Sequence, residues 1–163
     1  MDLPREGAAG AFGVLTAGAR GRKERLMSVQ VDVVYLGDLH TEATHGPSQH
    51  KLLTDAPLDN GGKGEAFSPT DLVGTALGTC VLTILGLYAK KNGFEVKGAT
   101  ASVVKEMTAV PIRRIARLAT EIHIPLPPDH PHRAAVEQAV RSCPVHASLY
   151  PEMEKPIDFF WEG

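Results

Sequence analysis

Apolar and polar residues alternate along the segment that begins at Ser28. SVQVDVVYLG is also rich in β-branched residues, and the pattern predicts a first strand. Two shorter extended segments follow, LHTEATHG and QHKLLTDAP, and the turn residues GPS separate them. Together the three segments predict an antiparallel meander. LDNGGKGEAF, which comes next, predicts a glycine-rich loop.

The pattern then changes to a long helical segment with clear end signals. Ser68 is a good N-cap, Pro69 suits the first helical position, and Asp71 completes a capping box. KKNG supplies basic residues and a glycine stop at the other end. The sequence therefore predicts a helix from Pro69 to about Asn92.

This helix is apolar on every side, because the eighteen positions that follow Asp71 carry no charge. Such a helix must be buried all round, and one small domain can hardly cover it, so a homodimer is expected. Eighteen residues are long enough to span a bilayer, but threonines, small residues and the surrounding strands argue against a membrane span. Gly74 and Gly78 form a GxxxG pattern, which fits either close approach of a second helix or helix–sheet packing within one chain.

The remainder of the chain predicts two long strands, two helices and a final strand. The strands are FEVKGATASVVKEMT, IRRIARLATEIHIPL and PIDFFWEG, and the helices are HRAAVEQAVRSC and CPVHASLYPEM. The order βββ-α-ββ-αα-β indicates an α+β fold. We expect a single domain over residues 27–163, preceded by a flexible tail or upstream extension over residues 1–26.

Composition restricts the function more than it defines it. The chain has 163 residues, 43% hydrophobic and 22% charged, which is typical of one soluble globular domain. A net charge of −2 gives no reason to expect nucleic-acid binding. Two cysteines are too few for a disulfide scaffold and no secretory signal is visible, so we expect a cytoplasmic protein with reduced thiols.

The two cysteines are the candidate reactive groups. Cys80 lies at the centre of the most apolar segment, where a cysteine is more often a small core residue than a nucleophile. Cys143 lies where a helix begins, and backbone N–H groups there favour a thiolate. A nucleophilic thiolate with a second thiol in reach makes a thiol oxidoreductase. The 62 residues between them leave open whether they meet.

SPTDLVGTALGTCVLTIL followed much later by CPVHASL resembles the OsmC/Ohr family, and the resemblance covers Val29 to Trp161. It implies an intertwined homodimer with a long buried central helix and two active sites at the subunit interface. It also implies that Cys80 is the peroxidatic cysteine and that Cys143 resolves it, with organic hydroperoxides as substrates. The reductant would be a small or lipoyl-type dithiol, no cofactor is expected, and the role would be oxidative-stress defence by a thiol-dependent peroxidase with peroxiredoxin-like chemistry.

The chain departs from the family pattern at two places. The family's best-characterised peroxidases have a Glu directly after the Pro that opens the long helix, and here that position holds Thr70. They also have an Arg from the N-terminal strand region, but this sequence has none between Ser28 and Pro69. The alternative function is therefore an OsmC-fold stress or small-molecule-binding protein without significant peroxidase activity.

Four other residues are candidate supports for the thiolate. Each of them also has a simpler interpretation, which is part of the helix cap for Asp71 and a solvated surface charge for the other three. His146 shares a helical turn with Cys143. Glu65 lies in the loop before the long helix, and Arg113 lies on a long strand beside Arg114 and Arg117. The four are Glu65, Asp71, Arg113 and His146.

A metal site is not predicted. His40, His45 and His50 are five residues apart and would alternate faces on a continuous strand, so they do not form a convergent ligand set. Cys143 and His146 would supply only half of a zinc site.

Overall fold

Three antiparallel strands open the fold of the computed structural model, which describes residues 28–163. They are β1 (Val31–Gly37), β2 (His40–His45) and β3 (Lys51–Thr54), in the sheet order β1-β2-β3. The predicted meander is confirmed. The whole segment assigned to an N-terminal tail, residues 1–26, lies outside the described residues, and so does Met27.

The long helix α1 (Pro69–Asn92) has the predicted ends. The Ser68 side chain accepts the Asp71 backbone N–H, and the Asp71 carboxylate accepts the Ser68 backbone N–H, which completes the capping box. Gly93 ends the helix in the left-handed conformation, with φ of 77°, that glycine adopts at little cost.

A second sheet and two short helices complete the domain. The elements are β4 (Thr100–Thr108), β5 (Arg114–Ile124), α2 (Arg133–Arg141), α3 (Pro144–Ser148) and β6 (Ile157–Trp161). β4 pairs antiparallel with β5, whereas β6 pairs parallel with β5 on its other side. The predicted order βββ-α-ββ-αα-β and the α+β class are therefore confirmed.

The core lies where α1 packs against this second sheet and α2. Leu77, Val81 and Leu85 of α1 are fully or almost fully buried. They pack in one apolar cluster with residues of β5 and α2, among them Leu118, Ile122, Val136 and Val140. Burying large aliphatic side chains is the main favourable term in folding.

The two glycines of the GxxxG pattern pack against β4. Gly74 and Gly78 are both buried, and a Cβ atom added to Gly78 would lie 3.2 Å from Val103 Cγ2. A helix can approach a sheet this closely only where it has no side chain. Of the two interpretations that the sequence left open, helix–sheet packing within the chain accounts for these glycines.

One stripe of α1 is not covered by the described chain. Its exposed residues are Thr75, Ala76, Thr79, Thr83 and Leu87. Each threonine hydroxyl on the stripe donates to the backbone carbonyl four residues earlier, at 2.8 to 3.0 Å. As expected, one small domain does not bury the helix on all sides.

By length and composition, α1 would pass as a membrane span. Its packing partners in the described chain are the strands β4 and β5 and the helices α2 and α3. It is the central helix of a two-layer α+β domain, and such helices meet the same criterion.

Candidate active site

The two cysteines meet where α1 packs against α3. Cys80 lies halfway along α1, and Cys143 is the N-cap residue of α3. The Cys80 side chain is close enough to Cys143 to form a hydrogen bond and to change its pKa. Both are free thiols. The fold thus brings together two residues whose separation in sequence predicted nothing about their distance.

Cys143 is held by the first turn of α3. Its Sγ accepts the backbone N–H of His146 at 3.2 Å, and Pro144 occupies the first helical position as predicted. The cysteine is fully buried. Burial raises the pKa of the Cys143 thiol, the backbone N–H groups of His146 and Val145 lower it, and the neighbouring Cys80 raises it further.

The net effect on Cys143 is a raised pKa, which corrects the expectation from sequence. The helix terminus does act in the predicted direction, but the loss of water around the sulfur outweighs it. Cys143 is therefore a neutral thiol at pH 7. Cys80 is only partly buried, although it packs against the core cluster, and it is the more accessible of the two sulfurs.

An apolar cavity of about 670 Å³ lies toward the N-terminal end of the same face of α1. Val73 lines it and precedes Cys80 by seven residues, close to two helical turns. The other lining residues come from the β4–β5 loop, the start of β5 and the segment after α3, among them Ile112, Ile115, Leu149 and Met153. The cavity has room for an alkyl or aryl group, on the side of α1 toward its N-terminus from Cys80.

Among the described residues, Arg114 is the one positively charged residue that lines this cavity. Its guanidinium carbon lies 5.9 Å from the centre of the Tyr150 ring, in a cation–π arrangement. Arg114 therefore places a positive charge in a mostly apolar wall, which also includes Glu152. The sequence predicts its place on a long strand beside Arg113 and Arg117, but points to Arg113 as the candidate support.

Apart from the cysteine site, a cluster of polar side chains surrounds the N-terminus of α1. Lys105 of β4 forms an ion pair with Asp71 and donates to the Thr70 hydroxyl at 2.8 Å. Burial raises the pKa of Asp71, but the hydrogen bond from Lys105 and the bonds from Ser68 outweigh it, and the net pKa is lowered. Asp71 thus acts as helix cap and as partner of Lys105, a residue that no signal in the sequence singled out.

The remaining sequence candidates make other contacts. Glu65 lies 3.4 Å from His40 and is largely exposed. Arg113 forms an ion pair with Asp59 at 3.0 Å. The His146 side chain is half-buried, and its backbone, rather than its ring, contacts the Cys143 sulfur. The structure therefore brings together Cys80, Cys143 and the His146 backbone.

Comparison with known proteins gives one consistent group. The sequence profile described as OsmC-like protein matches residues 62–155. A crystal structure described as an osmotic stress induced and detoxification response protein from Psychrobacter arcticus is 38% identical, with a TM-score of 0.76. The match covers 83% of this chain and 98% of that one. No protein with a curated description matches the chain.

More distant structures share the fold. An organic hydroperoxide resistance protein OsmC from Legionella pneumophila is 16% identical over 85% of this chain and 98% of that one, with a TM-score of 0.66. A Vibrio cholerae protein whose structure holds captopril in one of its active sites is 19% identical over 84% and 95% of the two chains, with a TM-score of 0.64. At identities this low, the similarity shows a shared fold and nothing more specific.

Proposed function

Because the chain belongs to the OsmC-like protein family, we propose that it reduces organic hydroperoxides by a two-cysteine mechanism. Cys80 is the attacking residue and Cys143 is the resolving residue. The observation that carries the proposal is the pairing of a partly exposed Cys80 with a buried, protonated Cys143. The distant relatives described as organic hydroperoxide resistance proteins support the substrate class.

The first step breaks the peroxide O–O bond. The Cys80 thiolate attacks the terminal oxygen of R–O–OH and becomes a sulfenic acid, while the alkoxide leaves and takes up a proton to give the alcohol. In this proposal the R group occupies the apolar cavity on the same side of α1, and the Arg114 guanidinium at its wall stabilises negative charge on the leaving oxygen.

The second step joins the two cysteines. The Cys143 sulfur attacks the sulfenic sulfur of Cys80, a disulfide forms, and the thiol proton leaves with the hydroxyl group as water. A Cys143 that stays protonated until this step does not compete with Cys80 for the peroxide. An external dithiol, of small-molecule or lipoyl type, then reduces the disulfide and is oxidised to its own disulfide.

We place this chemistry in a cytoplasmic homodimer. The exposed stripe of α1 and the exposed apolar residues of β1 together form a surface that a second copy can cover. On β1, residues 31 and 33–36 are all between 54% and 63% exposed, an unusual exposure for valine, leucine and tyrosine. Free thiols also fit a compartment that keeps cysteines reduced.

A second candidate function is a binding or stress protein of this fold without significant peroxidase activity. The network at the helix start favours it, because Thr70 stands where the family's peroxidases have Glu and hydrogen-bonds to Lys105 instead. In that case the apolar cavity binds a small molecule and the cysteines react slowly.

Counting free thiols separates the two functions. Reduced protein is mixed with one equivalent of cumene hydroperoxide, and the thiols remaining after seconds and after minutes are titrated. The peroxidase predicts rapid loss of two thiols per chain, no rapid loss in Cys80→Ser, and a sulfenic acid that dimedone traps in Cys143→Ser. Thiols that persist for many minutes in the unmodified chain would support the binding protein.

A further inference from the structure

Three metal-ligating side chains converge outside the cysteine site. His40 is the first residue of β2, Asp55 directly follows β3, and Glu65 lies in the loop that leads to α1. His40 Nε2 lies 3.6 Å from Asp55 Oδ1 and 3.4 Å from Glu65 Oε2. All three donor atoms lie within 4.8 Å of one another.

The surroundings of Asp55 are the evidence that this cluster is a ligand-binding site. The residue is fully buried, and its Oδ1 atom has no hydrogen-bond partner among residues 28–163. Its other oxygen, Oδ2, accepts the backbone N–H groups of Lys63 and Glu65 at 3.1 and 3.0 Å. These bonds fix the carboxylate so that the bare Oδ1 faces His40. A buried carboxylate oxygen without a partner is costly and calls for a ligand.

His40 presents its free nitrogen to the same point. Its Nδ1 lies 2.9 Å from the Asp38 carbonyl oxygen, and since a carbonyl can only accept, Nδ1 must donate. In the neutral imidazole, Nε2 then carries a lone pair directed at two carboxylates. A ring anchored by Nδ1–H to a backbone carbonyl is the usual arrangement of a metal-binding histidine.

We propose that His40 Nε2, Asp55 Oδ1 and Glu65 Oε2 bind one divalent transition-metal ion, with zinc as the best-fitting class. Zinc–nitrogen and zinc–oxygen bonds of about 2.0–2.2 Å place neighbouring donors of a tetrahedron roughly 3.4 Å apart. The two separations from His40, 3.4 and 3.6 Å, match this value. One nitrogen and two carboxylate oxygens suit zinc better than the all-oxygen preference of calcium or magnesium.

The ion would tie the first sheet to the start of α1. Its ligands come from β2, from the end of β3 and from the loop before the helix, where Thr54 and Phe67 also form a single parallel bridge. The site is open on one side because the Glu65 side chain is 64% exposed, which leaves room for water as a fourth ligand.

The test uses tag-free Cys80→Ser/Cys143→Ser protein, because cysteine thiolates bind zinc strongly and would hide a second site. Zinc is titrated in competition with a chromophoric chelator, and thermal unfolding is followed with and without the metal. One zinc per chain and a higher Tm with zinc are expected, because an ion that binds only the folded state stabilises it.

The variants His40→Ala and Glu65→Gln should each weaken zinc binding by about tenfold or more and abolish the Tm shift. Glu65→Gln is the sharper of the two, because an exposed side chain can change without disturbing the fold. His45→Ala is the matched control, since His45 ends the same strand and contacts Ser48 instead; its affinity should equal that of the parent.

Two results would overturn the metal site. One is the absence of stoichiometric zinc at millimolar concentration. The other is equal affinity in the parent and in both ligand variants. Either would leave His40 facing the two carboxylates with no ion between them. Because the cysteines are replaced throughout, neither result bears on the peroxidase proposal.

Discussion

At the scale of single residues, the site depends on how two similar thiols become different. Cys143 is enclosed by the core and by the first turn of α3, and Cys80 keeps part of its surface exposed. Their environments, rather than their chemical type, decide which sulfur meets a substrate first. This division is the reason why we propose Cys80 as the attacking residue and Cys143 as the resolving one.

Alkylation should reveal this division. At pH 7 a small excess of iodoacetamide is expected to modify Cys80 well before Cys143, because Cys143 is buried and its pKa is raised. Labelling of Cys143 should increase only as the pH rises. Mass spectrometry of the peptides gives the ratio, and the two cysteines should label alike in 8 M urea. Preferential labelling of Cys143 in the folded protein would reverse the proposed roles.

The role of the Arg114 charge at the cavity wall can be tested by substitution. Arg114→Ala should lower kcat/KM for cumene hydroperoxide by about tenfold or more, because a charge aimed at the leaving oxygen is lost. Arg114→Lys should recover part of the rate. Arg113→Ala is the matched control, since Arg113 pairs with Asp59 and does not line the cavity. Equal rates in all three variants would remove Arg114 from the mechanism.

At the scale of elements, α1 is specified by its ends and positioned by its glycines. The capping box and Gly93 define where it begins and ends, and Gly74 and Gly78 let it lie close to β4. Lys105 then links β4 to the first turn of the helix through Asp71. The helix that carries Cys80 is therefore fixed at its N-terminus by a cap and by an ion pair together.

Replacing Asp71 should loosen this attachment. Asp71→Asn is expected to reduce the free energy of unfolding at pH 7 by about 0.2–1 kcal/mol, the range for loss of a partly exposed ion pair or of a negative charge at a helix N-terminus. The folded-state pKa of Asp71 lies below its ordinary value of 3.8, so its contribution is complete above that pH and disappears as the pH falls through the folded-state pKa.

Urea unfolding measured from pH 7 downward would check this. The stability difference between parent and Asp71→Asn should shrink at acid pH. The exposed Asp158→Asn is the control and should unfold like the parent at every pH. A difference that stays constant with pH would show that the carboxylate charge of Asp71 does not contribute.

At the scale of the whole molecule, the exposed stripe of α1 and the exposed strand β1 lead to a prediction about assembly. Light scattering should give about 35 kDa, twice the chain mass of 17.4 kDa. Leu87→Asp places a charge on the stripe and should shift the mass toward the monomer, because burying an unpaired charge is costly. Ala135→Glu, at an exposed position of α2, should remain dimeric. A monomeric parent would contradict the dimer.

The secondary-structure elements could be predicted from the sequence more completely than the candidate active site. The bounds of α1 followed from local signals at Ser68, Pro69 and Gly93, which act within one helical turn. The meeting of Cys80 with Cys143 did not follow, because it depends on α3 packing against α1. The raised pKa of Cys143 was missed for the same reason, since burial is a property of the folded chain. The convergence of His40, Asp55 and Glu65 did not follow either, because it depends on how β2, the end of β3 and the loop before α1 pack together.

The threonine stripe of α1 has a consequence for the order of events in the cell. Thr75, Thr79 and Thr83 have already satisfied their hydroxyl protons within their own helix. They can face water in a newly made chain without the insolubility of a leucine stripe, and they can later lose that water without leaving a donor stranded. For the proposed dimer, this means that the threonine stripe does not have to be covered while the chain folds, so folding of the single chain can precede assembly.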